Sequence, residues 1–128
     1  MTAKKKFPKA TLAKIDKERM LGIRAGAHSD HKIIGIWAVT VNGRVFVRSW
    51  SKKPNGWWRT FLKDPHGAIY VAGSKRGVKV RAIQVKNKEL NDLVTKAYKE
   101  KYNKPGDLHY VRQKSPRATT TELTLYER

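Results

Sequence analysis

The sequence predicts an α+β fold in which about six antiparallel strands form a small barrel or a strongly curved sheet, flanked by two to three helices. Two apolar runs flank Asn42-Gly43, the usual dipeptide of a type I′ hairpin turn. A second pair of strand-like segments surrounds a short basic turn at 74–76. One strongly periodic helix, at about 88–102, separates that pair from a last strand.

Local signals place the elements in the order α-β-β-β-α-β-β-α-β. Thr11 can cap a first helix, Asp64-Pro65 stops a short second one, and Asn87 can cap the third. A loop of about a dozen residues is expected between the third helix and the last strand. The expected helices are at 12–20, 56–64 and 88–102, and the expected strands at 20–25, 32–41, 44–50, 67–73, 77–85 and 121–127.

Length, charge and cysteine content limit the class of protein. A chain of 128 residues suits one domain, and we expect a basic flexible tail over 1–9 followed by a single domain over 10–128. The net charge of +19 indicates an anionic partner or ligand. The absence of cysteine excludes disulfides and thiolate chemistry. Because no segment resembles a signal peptide or a membrane span, we expect a cytoplasmic protein that does not bind membranes.

The hairpin turn fixes the predicted pairing of its two strands. Counting outward from the turn places Trp37 opposite Arg48 and Gly35 opposite Trp50. These residues share one face of the ribbon, and an opposed Trp–Arg pair can stack. The other face is small and aliphatic, which suits the interior of a barrel.

The stretch from Arg48 to Thr60 carries the predicted binding site. It holds three of the four tryptophans, two arginines and two lysines, with no acidic residue. Gly56 lets a ligand approach the unpaired N–H groups at the start of a helix. This combination suits a planar ring that bears a phosphate, such as a flavin nucleotide. The predicted site residues are Arg48, Ser49, Trp50, Gly56, Trp57 and Arg59, with Lys32 and Trp37 at the edge.

A plain structural interpretation stands beside this one. Trp57, Trp58, Phe61 and Leu62 form two adjacent i,i+4 rows, as the buried stripe of an amphipathic helix does. Trp37 then packs under a helix, and Arg48 covers it with its aliphatic stem. Lysines in the loop that follows are ordinary solvated charges.

Several motifs in this order resemble a bacterial family of unknown function. They are "IWAVTVNGRVFVRS", "NGWW", "GAIYVAG", "AYKEKY" and "SPRATT", and the resemblance spans roughly 20–126. That family is similar to the FMN-binding split-barrel proteins and to the deazaflavin-dependent nitroreductase group. The resemblance implies a split β-barrel, often a homodimer, with FMN or a deazaflavin lying beside Arg48-Ser49, Gly56 and Trp57-Trp58. It also matches a basic position at Arg117 and a basic or hydroxyl position at Lys32 or His31.

The resemblance leaves the cofactor and the activity open. The nitroreductase group has a basic glycine-containing loop where this chain reads "RAGAHSDHK". The two residues after the aromatic pair, "RT", also differ from those of that group. The same fold also occurs in haem-binding proteins and in proteins without a redox cofactor. If the chain is an enzyme, a flavin or deazaflavin supplies the chemistry of an oxidoreductase, and Arg48 is the expected charge beside the ring.

The alternative function is nucleic-acid binding without catalysis. Residues 75–88 hold six basic residues and no acidic one, and Lys79 and Arg81 share one strand face. Basic strands with exposed aromatics on a small barrel also describe an oligonucleotide platform. The segment "HSDH" holds three candidate metal ligands, His28, Asp30 and His31, but they lie in a turn and follow no defined motif, so we expect no metal.

Overall fold

The computed structural model describes residues 6–27, 32–50 and 56–126. These contain seven strands and four α-helices, so the expected count of six strands and two to three helices was too low. Short 3₁₀ helices lie at Val71–Gly73 and Ser115–Thr119. The elements in chain order are α1 (Lys9–Lys17), β1 (Leu21–Ala25), β2 (Ile34–Ile36), β3 (Ala38–Val41), β4 (Arg44–Val47), α2 (Trp57–Lys63), β5 (His66–Tyr70), β6 (Val78–Gln84), α3 (Lys88–Lys101), α4 (Pro105–Val111) and β7 (Thr121–Leu125).

The strands form one antiparallel sheet that closes almost completely into a barrel. Its order is β2-β1-β5-β6-β7-β4-β3, so β2 and β3 lie at opposite ends of the sheet. Only Trp37 separates these two strands along the chain. The single strand expected over 32–41 is therefore split, because its first half pairs with β1 and its second half with β4. This split accounts for the seventh strand.

The hairpin register explains why two expected pairs do not form. Val39 lies opposite Phe46 as predicted, but the ladder between β3 and β4 ends at Ala38 and Val47. Gly35 pairs with Gly22 of β1, so the prediction that Gly35 faces Trp50 was wrong. Trp37 and Arg48 likewise lie beyond the last pair of this ladder.

Two hydrophobic cores lie on the two faces of the sheet. The inner core receives buried side chains from all seven strands, and α1 and α2 add Ile15, Trp57 and Phe61. The outer core lies under α3 and α4, where Val39 and Phe46 meet aromatic side chains. The aliphatic hairpin face thus lines the barrel interior, as the sequence predicted. The aromatic face is covered by helices.

Side chains of α3 and of the residue that follows it, Tyr102, satisfy the backbone polar groups where the long strand splits. The Tyr98 hydroxyl donates to the carbonyl of Trp37 at 2.9 Å. The Tyr102 hydroxyl accepts the N–H of Ala38 at 3.0 Å, and Lys101 Nζ donates to the carbonyl of Ala38 at 2.7 Å. Because buried backbone groups need partners, these bonds permit the strand to change neighbours at Trp37.

The helices agree with the sequence except at two places. The Asn87 side chain caps α3 by accepting the N–H of Leu90 at 2.9 Å, as predicted. Helix α1 begins three residues before its expected start, and Phe7 ahead of it is buried. The loop expected after α3 contains α4, which begins at Pro105. Proline suits the first turn of a helix because its missing N–H is not needed there.

Among the residues that the structure describes, no helix combines the length and the apolar character that crossing a bilayer requires. The basic tail expected over 1–9 stays a prediction for residues 1–5, which lie outside the described part of the chain, whereas Phe7 packs in the inner core and Lys9 begins α1.

Candidate functional site

A cleft of about 490 Å³ opens between β2, the end of β4 and the start of α2. We call it the tryptophan cleft. It brings together six of the eight predicted site residues, which are Trp37, Arg48, Ser49, Trp50, Gly56 and Trp57. The other walls come from Met20 and from the backbone and side chains of β2.

Arg48 lies in the wall of this cleft and is only 4% exposed. Its Nε donates to the Thr120 hydroxyl at 2.8 Å, and its Nη2 donates to the carbonyl of Asn91 at 3.0 Å. The guanidinium lies 5.5 Å from the centre of the Tyr98 ring. Arg48 thus turns toward α3, and the expectation that it covers or stacks on Trp37 was wrong.

No carboxylate contacts Arg48 within the described residues. Its hydrogen-bond partners there are a hydroxyl and an amide carbonyl, both neutral. Burial lowers the pKa of Arg48 from 12.5 to about 10; the Tyr98 phenol opposes this and the nearby Arg117 cation adds to it. An arginine with a pKa of about 10 is still charged at neutral pH. Arg48, a lining residue of the cleft, therefore carries a desolvated positive charge that no carboxylate among the described residues contacts.

The two tryptophans at the outer side of the cleft pack edge to face. Their ring centres are 5.6 Å apart, at an interplanar angle of 69°. The other side of Trp37 stacks on Tyr102, with centres 4.3 Å apart. The indole N–H of Trp50 donates to the carbonyl of Tyr110 in α4 at 2.8 Å. Neighbouring helices hold both rings, which makes them rigid walls of the cleft.

The remaining lining residues belong to the framework of the barrel. Trp57 is 8% exposed and packs in the inner core beside Phe61. The backbone N–H of Ser49 donates to the Thr119 hydroxyl at 2.8 Å. Gly56 is the N-cap residue of α2. That helix has only seven residues, so its dipole is a weak attraction for an anion.

Two predicted site residues do not line the cleft. Lys32 is exposed ahead of β2, and Arg59 is exposed on α2, with its guanidinium 5.7 Å from the centre of the Trp58 ring. The loop lysines Lys52 and Lys53 lie outside the described residues. Leu62 is 49% exposed, so the expectation that it belongs to the buried stripe was wrong.

Sequence reasoning missed an ion pair beside the cleft. Arg19 forms a two-pronged pair with Asp107 of α4, one of whose bonds, from Nη1 to Oδ2, measures 3.0 Å. The Arg19 guanidinium lies 5.2 Å from the centre of the Trp37 ring. Trp37 therefore packs against an arginine, although this arginine is Arg19 and not Arg48. The hydrogen bonds of Arg19 hold the pKa of Asp107 below its ordinary value of 3.8.

Arg117, whose role the sequence left unassigned, joins the segment before β7 to α3. It donates to the carboxylate of Asp92 at 2.5 Å and to the Lys88 carbonyl at 3.2 Å. Within the described part of the chain, no group of three or more histidine, aspartate or glutamate side chains is placed to hold a metal ion. The "HSDH" segment lies outside that part.

A family model with the description "Uncharacterized protein conserved in bacteria (DUF2255)" matches residues 11–123. The chain belongs to this family. The resemblance to a bacterial family of unknown function is thereby confirmed. No curated protein matches the sequence.

Two solved structures share the fold of this DUF2255 protein. The conserved hypothetical protein Rv2991 from Mycobacterium tuberculosis matches with a TM-score of 0.60 and 14% identity, over 100% of this chain and 85% of its own. A FAD-binding protein (mll6688) from Mesorhizobium loti matches with a TM-score of 0.58 and 9% identity, over 99% and 95% of the two chains. At these identities the likeness concerns the fold alone.

Proposed function

We propose that this DUF2255 protein binds a flavin or deazaflavin cofactor in the tryptophan cleft and acts as an oxidoreductase on a substrate still to be identified. The observation that carries this proposal is a cleft walled by three tryptophans whose lining residues include Arg48, an arginine that is only 4% exposed. The fold shared with a FAD-binding protein supports it. A cytoplasmic location stays part of the proposal.

The described cleft residues fit the ring of such a cofactor. A volume of about 490 Å³ is in the range of small-ligand sites. Trp50, Trp57 and Ile36 supply apolar surface for a flat aromatic ring, and Arg48 supplies a charge at the wall. A phosphate would need cations besides Arg48, and among the described residues no other cation lines the cleft. We therefore propose the ring site here and leave the phosphate site unassigned.

Each wall would have a separate part in the chemistry. A bound flavin or deazaflavin supplies the transfer of electrons or hydride. Arg48 would favour an anionic form of the ring, because its charge is desolvated and contacts no carboxylate among the described residues. Trp37 and Trp50 would hold the plane of the ring and exclude water from one side. The rigid contacts of these indoles with α3 and α4 would preserve that geometry.

A binding titration tests this proposal. FMN, FAD and a deazaflavin cofactor are each titrated into the protein at physiological salt, following the quenching of their own fluorescence. We expect one of them to saturate at one molecule per subunit, and Trp50→Leu to weaken its binding about tenfold. Trp58→Leu is the matched control, since Trp58 is half-buried and lies outside the cleft. Absence of saturable binding by all three contradicts the proposal.

We also propose that the protein is a homodimer that pairs through the rim of the tryptophan cleft. Met20, Ile33 and Ile34 are 48%, 53% and 45% exposed; Met20 and Ile34 line the cleft, and Met20 and Ile33 line the groove next to it. A second copy is the occupant that this rim suits, because covering these side chains removes apolar surface from water.

The molecular mass in solution tests the dimer. Light scattering after size exclusion should give twice the mass of one chain, and Ile33→Glu should shift it to that of one chain. Leu93→Glu is the control, since Leu93 is 44% exposed on α3, away from the rim. A wild-type protein with the mass of one chain at micromolar concentration contradicts the dimer.

A further inference from the structure

A second groove lies on the outer face of β5, and it shares no lining residue with the tryptophan cleft. We call it the β5 groove. Its volume is about 530 Å³. Its walls include Arg24 of β1, His66, Ala68 and Tyr70 of β5, Lys79 of β6 and Tyr126 after β7. Helix α3, which covers the outer core, packs mainly on β3 at the end of the sheet.

The strand register places one cation on each side of a small residue. Arg24 pairs with Ala68, and Ala68 pairs with Lys79 across the next ladder. Their chain neighbours Ile23, Ile69 and Val80 are fully buried in the inner core, so alternation turns this row outward. Adjacent strands lie about 4.8 Å apart, which separates the two cationic backbones by about 10 Å. The methyl group of Ala68 leaves the space between them clear.

Aromatic rings close the two ends of the groove. His66 and Tyr70 are outward residues four positions apart on β5, or about 13 Å along the strand. The rings of His66 and Tyr126 have their centres 4.6 Å apart. The backbone N–H of Tyr126 donates to the carbonyl of Lys79 at 3.0 Å, which fixes the aromatic end beside a cation. Flat rings next to positive charges suit a base next to a phosphate.

Two cations, Arg24 and Lys79, are among the described lining residues of the groove, and further cations lie beyond it. No acidic residue is among its described lining residues. Asp64 lies beside the groove, where its carboxylate is 3.4 Å from Nδ1 of His66 and accepts the N–H groups of Ala27 and His66 at 2.8 Å and 3.1 Å. Arg81 lies across from His66, and Lys75 and Arg76 lie in the turn between β5 and β6. A ligand whose phosphates extend over several units would use this whole track.

We propose that the β5 groove binds single-stranded nucleic acid, with one base against His66 and Tyr126 and its phosphate at Lys79. The aromatic ends favour an unpaired base over a duplex, because the bases of a duplex are already stacked. The cations beyond the groove favour a strand over a free nucleotide. This inference is independent of the flavin proposal, since the two sites have separate walls.

Fluorescence anisotropy with a labelled twelve-nucleotide oligo(dT) tests the proposal across a salt series that includes physiological salt. Tyr126→Leu removes the ring at constant charge and should weaken binding about fivefold or more, whereas Tyr126→Phe should retain it. Lys79→Gln should lower the slope of log K against log salt by about 0.7, the contribution of one phosphate contact on a single strand. Lys96→Gln, an exposed lysine on α3, removes the same charge elsewhere.

Any protein with a charge of +19 binds nucleic acid at low salt, so the outcome depends on the comparisons between ligands and variants. The proposal predicts that the single strand binds more tightly than a twelve-base-pair duplex and than free dTMP. It also predicts that Lys96→Gln binds more tightly than Lys79→Gln. Equal affinity for strand and duplex overturns it, as does equal affinity for the free nucleotide. Unchanged binding by Tyr126→Leu overturns it as well, and circular dichroism verifies that this variant is folded.

Discussion

A 2.8 Å hydrogen bond from Arg48 Nε to the Thr120 hydroxyl joins the end of β4 to the residue before β7. The same hydroxyl donates to the carbonyl of Arg117 at 2.7 Å. Thr120 is fully buried, so water cannot replace it as a partner of the guanidinium. Thr120, together with the Asn91 carbonyl, therefore fixes the position of the Arg48 guanidinium from outside the cleft.

Thr120→Val should destabilise the protein by about 1–3 kcal/mol, because it leaves a donor of a buried guanidinium without its acceptor. The free energy of unfolding in urea measures this effect. Thr124→Val is the matched control. The Thr124 hydroxyl donates to the Arg81 carbonyl at an exposed position, and we expect a change within about 0.5 kcal/mol. Equal effects of the two substitutions would contradict the structural role of Thr120.

Gly67→Ala should destabilise the barrel by about 1–3 kcal/mol or more, because a β-carbon there meets backbone and core atoms. The added carbon would lie 2.5 Å from the Arg24 carbonyl oxygen and 2.9 Å from the Phe61 ring. Gly106 provides the opposite case, since a β-carbon there has no atom within 4 Å and the residue lies in α4. Gly106→Ala should raise the free energy of unfolding by about 0.5–1 kcal/mol. Thermal unfolding of both variants measures the contrast, and a stable Gly67→Ala would contradict the packing described.

Asp107→Asn should reduce the dependence of stability on acid pH. The pKa of Asp107 is held below 3.8 in the folded state, chiefly by hydrogen bonds from Arg19. Its contribution to stability is therefore complete well above pH 3.8. It is lost as the pH falls through the folded-state pKa, since the unfolded state then binds more protons.

Urea unfolding at several values between pH 6 and pH 3 measures the effect of Asp107→Asn. The wild-type protein should lose more stability over this range than the variant. Asp92→Asn is the comparison, because the Asp92 carboxylate has a lowered pKa but sits in an exposed pair with Lys88 and Arg117. Parallel curves for wild type and Asp107→Asn would contradict the role of the Arg19 pair.

The sequence predicted the elements whose signals are local. The Asn42-Gly43 turn, the Asn87 cap and the aliphatic face of the hairpin all depend on neighbouring residues, and the structure contains them. The split of the long strand at Trp37 depends on barrel closure. A residue pattern with a period of two is the same whichever strand is the partner, so the pattern does not indicate a change of partner.

The missed helix α4 has a different cause. It has only seven residues, which is too short for a clear apolar period. Pro105 at its start and Asp107 in its first turn were usable signals that were assigned to a loop. Because α4 was not predicted, the Arg19–Asp107 ion pair and the helix that covers Trp50 were not predicted either.

The sequence predicted which residues form most of the candidate site, but it did not predict how their side chains are arranged. The six cleft residues lie close together in the sequence or across the hairpin, so they were found together. The direction of Arg48 was not predictable, because its partners Asn91 and Thr120 are 43 and 72 residues away in the chain. Contacts at such separations are set by tertiary packing.

The most direct test of the flavin proposal is calorimetric titration at physiological salt of the cofactor that binds best, into wild type, Arg48→Met and Arg112→Met. Both substitutions remove one positive charge, but Arg112 is exposed at the end of α4 and does not line the cleft. We predict saturation at one molecule per subunit for wild type and Arg112→Met, and at least about tenfold weaker binding for Arg48→Met. Equal affinity of the two folded variants would contradict a role of Arg48 in binding. Absence of binding by the wild-type protein would contradict the flavin proposal itself.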